Sequence, residues 1–199
     1  MNKEAAYTRK GRMAVDSKIL EQFMNEEGLK FTVHDDYIHT TFATDVYRNQ
    51  EGNAALYIII RLEEDGEYFK LIAPNMYNLP PDSARGQTVF RVLLGVCWRT
   101  KLIKFEYDEL DGEIRGIIEF PIEDGTLTKK QFLRCLNGLV QIMDEYHVAI
   151  QSALHGGSGS LDEAEQFSDI LRRTERLYKL AGVMKPQRPV KPGDLILEE

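Results

Sequence analysis

Cysteine is scarce in this chain, a basic excess and long apolar runs are lacking, and each of these removes a class of protein. Only two cysteines, Cys97 and Cys135, occur in 199 residues, too few for the disulfide scaffolds of small secreted domains. Both sit inside apolar helical patterns, which reads as buried, reduced thiols. The longest apolar runs, such as Leu56 to Ile60, fall far short of the about 20 residues of a membrane-spanning helix. Residues 1–14 carry charge and lack the apolar stretch of a secretory signal. Net charge is -7 with a pI near 5.2, the opposite of the basic footprint that binds nucleic acid. An acidic surface is also repelled by an anionic membrane leaflet. The sequence therefore reads as cytoplasmic, with no membrane insertion and no nucleic-acid partner.

Catalytic signatures are missing as well. No Gly-x-Ser-x-Gly occurs. The one Gly-rich run, Gly156 to Ser160, follows a helix pattern and carries no Gly-Lys-Ser for phosphate. His34, Asp35, Asp36 and His39 form a metal-like cluster, but the second ligand pair that zinc sites use has no counterpart. On a strand, His34 and Asp36 would share one face and Asp35 and His39 the other. Glu106, Asp108, Glu113 and Glu119 could pair as hydrolase acids do. They alternate with apolar residues, however, as on the wet face of a sheet, with Lys104 and Arg115 as cross-strand partners. His147 falls on an apolar helix face and reads as a core or boundary histidine. No catalytic residue, metal ligand or cofactor is assigned.

What the chain does contain is enough apolar residue, 43%, for one ordinary core, patterned in a legible order. Residues 1–14 are polar. Asp16 caps a helix to about Glu27, with Gly28 as its stop. Leu29 to Val33 and Tyr37 to Phe42 alternate as strands. Ala54 to Leu62 and Tyr68 to Ala73 form a strand pair about Asp65-Gly66. Pro74, Pro80 and Pro81 then predict a loop, and Asp82 or Ser83 opens a helix to about Lys101. Lys104 to Asp108 and Ile114 to Phe120 pair about Asp111-Gly112. Thr128 and Gln131 form a capping box for a long helix to about Leu154.

Past a Gly/Ser linker at 155–160, which could also join a separately appended segment, Ser160 and Glu163 open another helix. It spans 161–182, with Ala164, Phe167, Leu171, Tyr178 and Ala181 at intervals of three or four once Thr174 fills one slot. The tail, 183–199, carries Pro186, Pro189 and Pro192 and reads as an extended spacer. The fold class is α+β: an antiparallel sheet with helices on one face, order α-βββ-α-ββ-α over 15–154, plus the appended C-terminal helix.

One helix carries more apolar surface than one sheet can hide. At about 100° per residue, Val89, Val92, Leu93, Val96 and Cys97 form its main arc. Leu94, Trp98 and Leu102 lie off that arc, beside Arg91. The only tryptophan therefore packs against another helix of the chain, a second subunit or a partner protein.

The element order resembles that of the YbjN-like proteins and their type III secretion chaperone-like fold. The likeness runs through Leu56-Tyr57-Ile58-Ile59-Ile60, Lys104-Phe105-Glu106-Tyr107-Asp108, Ile114 to Pro121, and Thr128-Lys129-Lys130-Gln131-Phe132. It implies a non-enzymatic, often dimeric protein that binds extended client segments, in a group loosely linked to regulation. The expectation is a chaperone-like or adaptor module and a homodimer. Partner-binding residues would be Leu94, Trp98, Leu102, Phe167, Leu171 and Tyr178. The alternative is a small-molecule or metal-dependent enzyme using the His34–His39 cluster.

Overall fold

The computed structural model describes residues 15–123 and 125–182. The expectations for 1–14 and for the tail from 183 lie outside the described residues. Helix α1, Ser17–Glu26, starts where the Asp16 carboxylate accepts the Lys18 N–H, and Gly28 at φ 65 turns the chain away. Strands β1 (Thr32–Val33), β2 (Ile38–Ala43), β3 (Ala55–Glu63) and β4 (Tyr68–Asn78) follow. Helix α2 (Gly86–Arg99), strands β5 (Lys104–Tyr107) and β6 (Glu113–Pro121), and helices α3 (Lys129–Leu154) and α4 (Leu161–Leu180) complete the chain. All pairings in the six-stranded sheet are antiparallel, in the order β1-β2-β3-β4-β6-β5. The α+β class and the expected element order both hold.

Alternation decides which face is covered. Ile38, Phe42, Leu56, Ile58, Ile60, Phe69, Leu71, Ile114 and Ile118 point to one side and are buried. They meet Val89, Val92 and Val96 of α2 and Phe132, Leu136, Leu139, Met143 and Ile150 of α3 in one core. Leu20 and Met24 of α1 join it, with the Phe23 and Phe132 rings 6.0 Å apart. At the start of α3 the Thr128 hydroxyl accepts the Gln131 N–H, and the Gln131 side chain accepts that of Thr128, the box expected there.

Three expectations need correction. Strand β4 does not stop at Ala73 but runs through Pro74 to Asn78. A bulge between Ala73 and Tyr77, with Asn75 at φ 50, accommodates the proline that read as a loop. Helix α2 begins at Gly86 rather than at Asp82 or Ser83, because Ser83 instead closes a turn by accepting the Arg85 N–H. The strand expected from Leu29 shrinks to Thr32–Val33. At the other end of the sheet, Gly112 at φ 80 closes the β5–β6 turn, and its N–H donates to the Asp108 carbonyl at 2.9 Å.

Candidate partner-binding surface

Helix α2 buries Val89, Val92, Leu93 and Val96 and turns its opposite side to solvent. On that outer side Leu94 is 70% exposed, Trp98 90% and Leu102, just past the helix, 40%. Phe90 continues the stripe toward the sheet edge, its ring 5.0 Å from that of Tyr107. Neither α3 nor α4 covers the tryptophan. The spacing from 94 to 98 to 102 placed these three together, and the structure adds Phe90, which the proximity of β5 makes visible.

Helix α4 is fixed to the body at its beginning. The Ser160 hydroxyl accepts the Glu163 N–H, and Ala164 is buried. The Leu161 side chain lies against Gly95 so closely that a Cβ there would stand 2.5 Å from its Cδ1. Arg99, next to Trp98, reaches Asp162 at 2.7 Å and Glu165 at 2.9 Å. The Tyr146 hydroxyl donates to Glu165 at 2.7 Å. Hydrogen bonds from Arg99 and then Tyr146 hold the Glu165 carboxyl below its ordinary range, and Glu165 with Asp162 raises the guanidinium of Arg99.

Farther along, Arg172 stands 3.4 Å from Glu145, whose carboxyl burial pushes up against the pull of that arginine. Leu171 is half-buried and lines a crevice of about 560 Å³ with Phe42, Val46 and Val140. Phe167 and Tyr178 are exposed, and so are Ile170 and Leu177 between them. The inner face of α4 is thus Leu161, Ala164, Ser168 and Leu171, and the outer apolar arc is Phe167, Ile170, Leu177 and Tyr178. Ile170 and Leu177 keep the same three-to-four rhythm, a signal hidden in sequence by the competing inner register.

The histidine cluster folds differently from an extended strand. The β1–β2 turn brings His34 Nε2 within 2.9 Å of His39 Nδ1, and the His34 ring stacks on Tyr37 at 4.3 Å. Burial first, and His34 second, lower the His39 pKa. Asp36 turns to Arg61 at 3.4 Å. Among the described residues no group of three or more His, Cys, Asp or Glu stands placed to hold a metal ion.

The hairpin carboxylates are tied to cations on the open face of the sheet. Lys104 bridges Glu106 (3.0 Å) and Glu119, and Arg115 meets Glu106 at 2.7 Å. Burial would raise Glu106, but hydrogen bonds from Lys104 and Arg115 hold it low. Hydrogen bonding to Lys104 does the same for Glu119. Glu113 accepts the Asn75 N–H at 2.8 Å, and Asp108 accepts that of Leu110. A general acid needs a raised pKa; Glu106 and Glu119 have the reverse.

Under the sheet His147 is buried, as its helix face implied, in a polar group whose tyrosine members sequence reading missed. The Tyr77 hydroxyl and His147 Nδ1 are 3.0 Å apart, with Tyr47 edge-on to the imidazole at 5.2 Å. Burial lowers His147 to about 4 and raises Tyr77. Tyr77 and His147 are therefore both neutral, and a single hydrogen bond joins them.

No protein-family model and no curated protein matches this chain. Among solved structures, the fold is similar to YbjN of E. coli, described as a candidate transcription regulator. The match has 13% identity and a TM-score of 0.48 over 71% of this chain and 93% of that one. It is also similar to a chain of the HopA1-SchA chaperone-effector complex, at 13% identity and a TM-score of 0.40 over 73% and 99%. At 13% identity neither match transfers a residue's role or a partner.

Proposed function

We propose that this protein is a non-enzymatic binding module, chaperone-like or adaptor in kind, that holds a partner protein through the outer stripe of α2. The observation that carries this reading is Trp98, 90% exposed beside Leu94 and Leu102 on a helix whose other side is core. Burying such a ring removes roughly 200 Å² from water, worth on the order of 5 kcal/mol before ordering costs. Tryptophan is also enriched among the few residues that dominate protein interfaces. The partner we assign first is a second copy of the chain, giving a homodimer with Leu94, Trp98 and Leu102 at its centre. The outer arc of α4, with Phe167 and Tyr178 and with Leu171 at its inner border, offers the same kind of surface to a client. The acidic, carboxylate-paired body supports a cytoplasmic adaptor rather than an enzyme.

Light scattering on the purified chain at micromolar concentration tests this directly. A dimer that Trp98→Ala weakens roughly 30-fold or more, with an unchanged circular dichroism spectrum, supports the reading. A monomer at every concentration overturns the homodimer.

A further inference from the structure

Where the segment after α2 passes the outer side of α3, the two enclose an open groove of about 770 Å³. Its apolar surface comes from Leu102, Leu133 and Ile142, and its lining carries Lys101, Lys130 and Arg134 with one carboxylate, Glu145, which Arg172 already pairs. In a chain of net charge -7 this is an unusual concentration of cations. The neighbouring Lys129 is already engaged by Glu26 and Glu27. The three rim cations form no ion pair among the described residues. An occupant must therefore be apolar at its centre and acidic at its ends: apolar atoms for the floor, carboxylates for the rim.

The sequence supplies such a segment beyond α4. Asp194-Leu195-Ile196-Leu197-Glu198-Glu199 places three large apolar residues between acidic ones. The spacer from Gly182 to Asp194, with prolines at 186, 189 and 192, spans about 37 Å when extended. Helix α3 is 26 residues, about 39 Å, and α4 packs along it through Tyr146, Glu145 and Arg172. The tether thus reaches the groove and keeps the segment at an effective concentration in the millimolar range.

We propose that residues 194–199 of this same chain dock in the groove between the end of α2 and α3. There Leu195 and Leu197 sit on the apolar floor, and Glu198 and Glu199 pair with Lys101, Lys130 and Arg134. The docked segment covers Leu102 and leaves Leu94 and Trp98 of the α2 stripe open to a partner, since neither lines the groove. The groove and the stripe remain separate tests, because Trp98 does not line the groove.

The experiment is zero-length carbodiimide cross-linking of the full chain, as an equal mixture of natural and 15N-labelled protein, read by mass spectrometry. The expected products join Glu198 or Glu199 to Lys101 or Lys130 within single chains, so linked peptides are both light or both heavy. Two variants should abolish them. Gly138→Phe fills the groove without disturbing the core, since a Cβ at Gly138 meets nothing within 4 Å. Leu195→Asp with Leu197→Asp removes the apolar anchors and leaves the sequence of 15–182 unchanged. Mixed light–heavy peptides would make a second copy the occupant and overturn docking within one chain. Links scattered over other lysines, no links, or links that survive both variants would overturn the proposal outright.

Discussion

The Asp144 carboxylate accepts the backbone N–H of Tyr47 at 2.9 Å, together with those of Asp45 at 3.0 Å and Val46 at 2.9 Å. Three consecutive amides converge on one charge from the middle of α3, and the loop leaving β2 is held by it. The Thr44 hydroxyl adds a bond to the Tyr47 carbonyl at 2.8 Å, closing the turn from within.

Replacing that charge should loosen the loop before the core. Asp144→Ala leaves three amides without their acceptor, and loss of charged hydrogen bonds of this kind costs about 2–3 kcal/mol. Urea unfolding should show that loss. Hydrogen exchange should show faster exchange at Asp45, Val46 and Tyr47, with the β3–β4 ladder still protected. An unchanged unfolding midpoint would mean that the loop is held by other contacts.

Acid should weaken the fold through His147. Its folded pKa of about 4 lies below the ordinary 6.5, so the unfolded chain takes up a proton that the folded chain refuses. The stabilisation is complete above pH 6.5 and declines as pH falls from 6.5 to about 4, a loss of about 3 kcal/mol at most. His147→Gln keeps an acceptor near Tyr77 and removes the titration. Unfolding free energy measured from pH 7 to 4 should fall less steeply in the variant, and equal slopes would refute the assignment.

Gly95 sets how closely α4 approaches α2. Its missing side chain makes room for Leu161, so Gly95→Leu should lever the start of α4 away while leaving the buried arc of α2 intact. Amide exchange in 161–170 should then accelerate while the sheet stays protected. Arg99→Ala should do the same more weakly and with a dependence on salt, since exposed ion pairs are screened. If exchange in 161–170 is unchanged in Gly95→Leu, α4 is held elsewhere.

Gly116 and Met76 form a matched pair inside the β4 bulge. The Gly116 N–H donates to Met76 Sδ at 3.0 Å, and a Cβ at Gly116 would stand 2.8 Å from that sulfur. Gly116→Val should cost about 2 kcal/mol or more by overpacking, and Met76→Ala in the same chain should restore part of it. Thermal melts of the two single variants and the double variant measure the coupling, and strictly additive losses would count against it.

Local chemistry explains which parts of this fold the sequence revealed. Asp16, Thr128 and Ser160 announced their helices because capping depends on residues within one turn. The two hairpins showed themselves in the alternation of Leu56, Ile58 and Ile60 and of Ile114, Ile118 and Phe120. The extension of β4 past Pro74 was hidden, since a proline reads as a break unless a bulge three residues wide is known to absorb it. The buried group of Tyr47, Tyr77 and His147 was also hidden, because its members come from a loop, a strand and a helix. Of the surface residues, Leu94, Trp98 and Leu102 were legible from helical period alone. On α4, two registers compete, and only contact with α2 and α3 shows that Leu161, Ala164 and Leu171 face inward while Ile170 and Leu177 do not.

The sheet order has a kinetic meaning. Strands β3 and β4, like β5 and β6, are joined by short turns and can close on microsecond timescales. Pairing β4 with β6, as in Ile72 opposite Ile117 and Leu71 opposite Ile118, must wait until the whole of α2 and β5 has been looped out between them. Non-local closure of this sort sets the speed of mixed α/β chains. Substitutions along the β4–β6 seam should therefore slow refolding. Those at β1, which adds only two register pairs to the sheet edge, should change refolding less and act mainly on the loss of the native state.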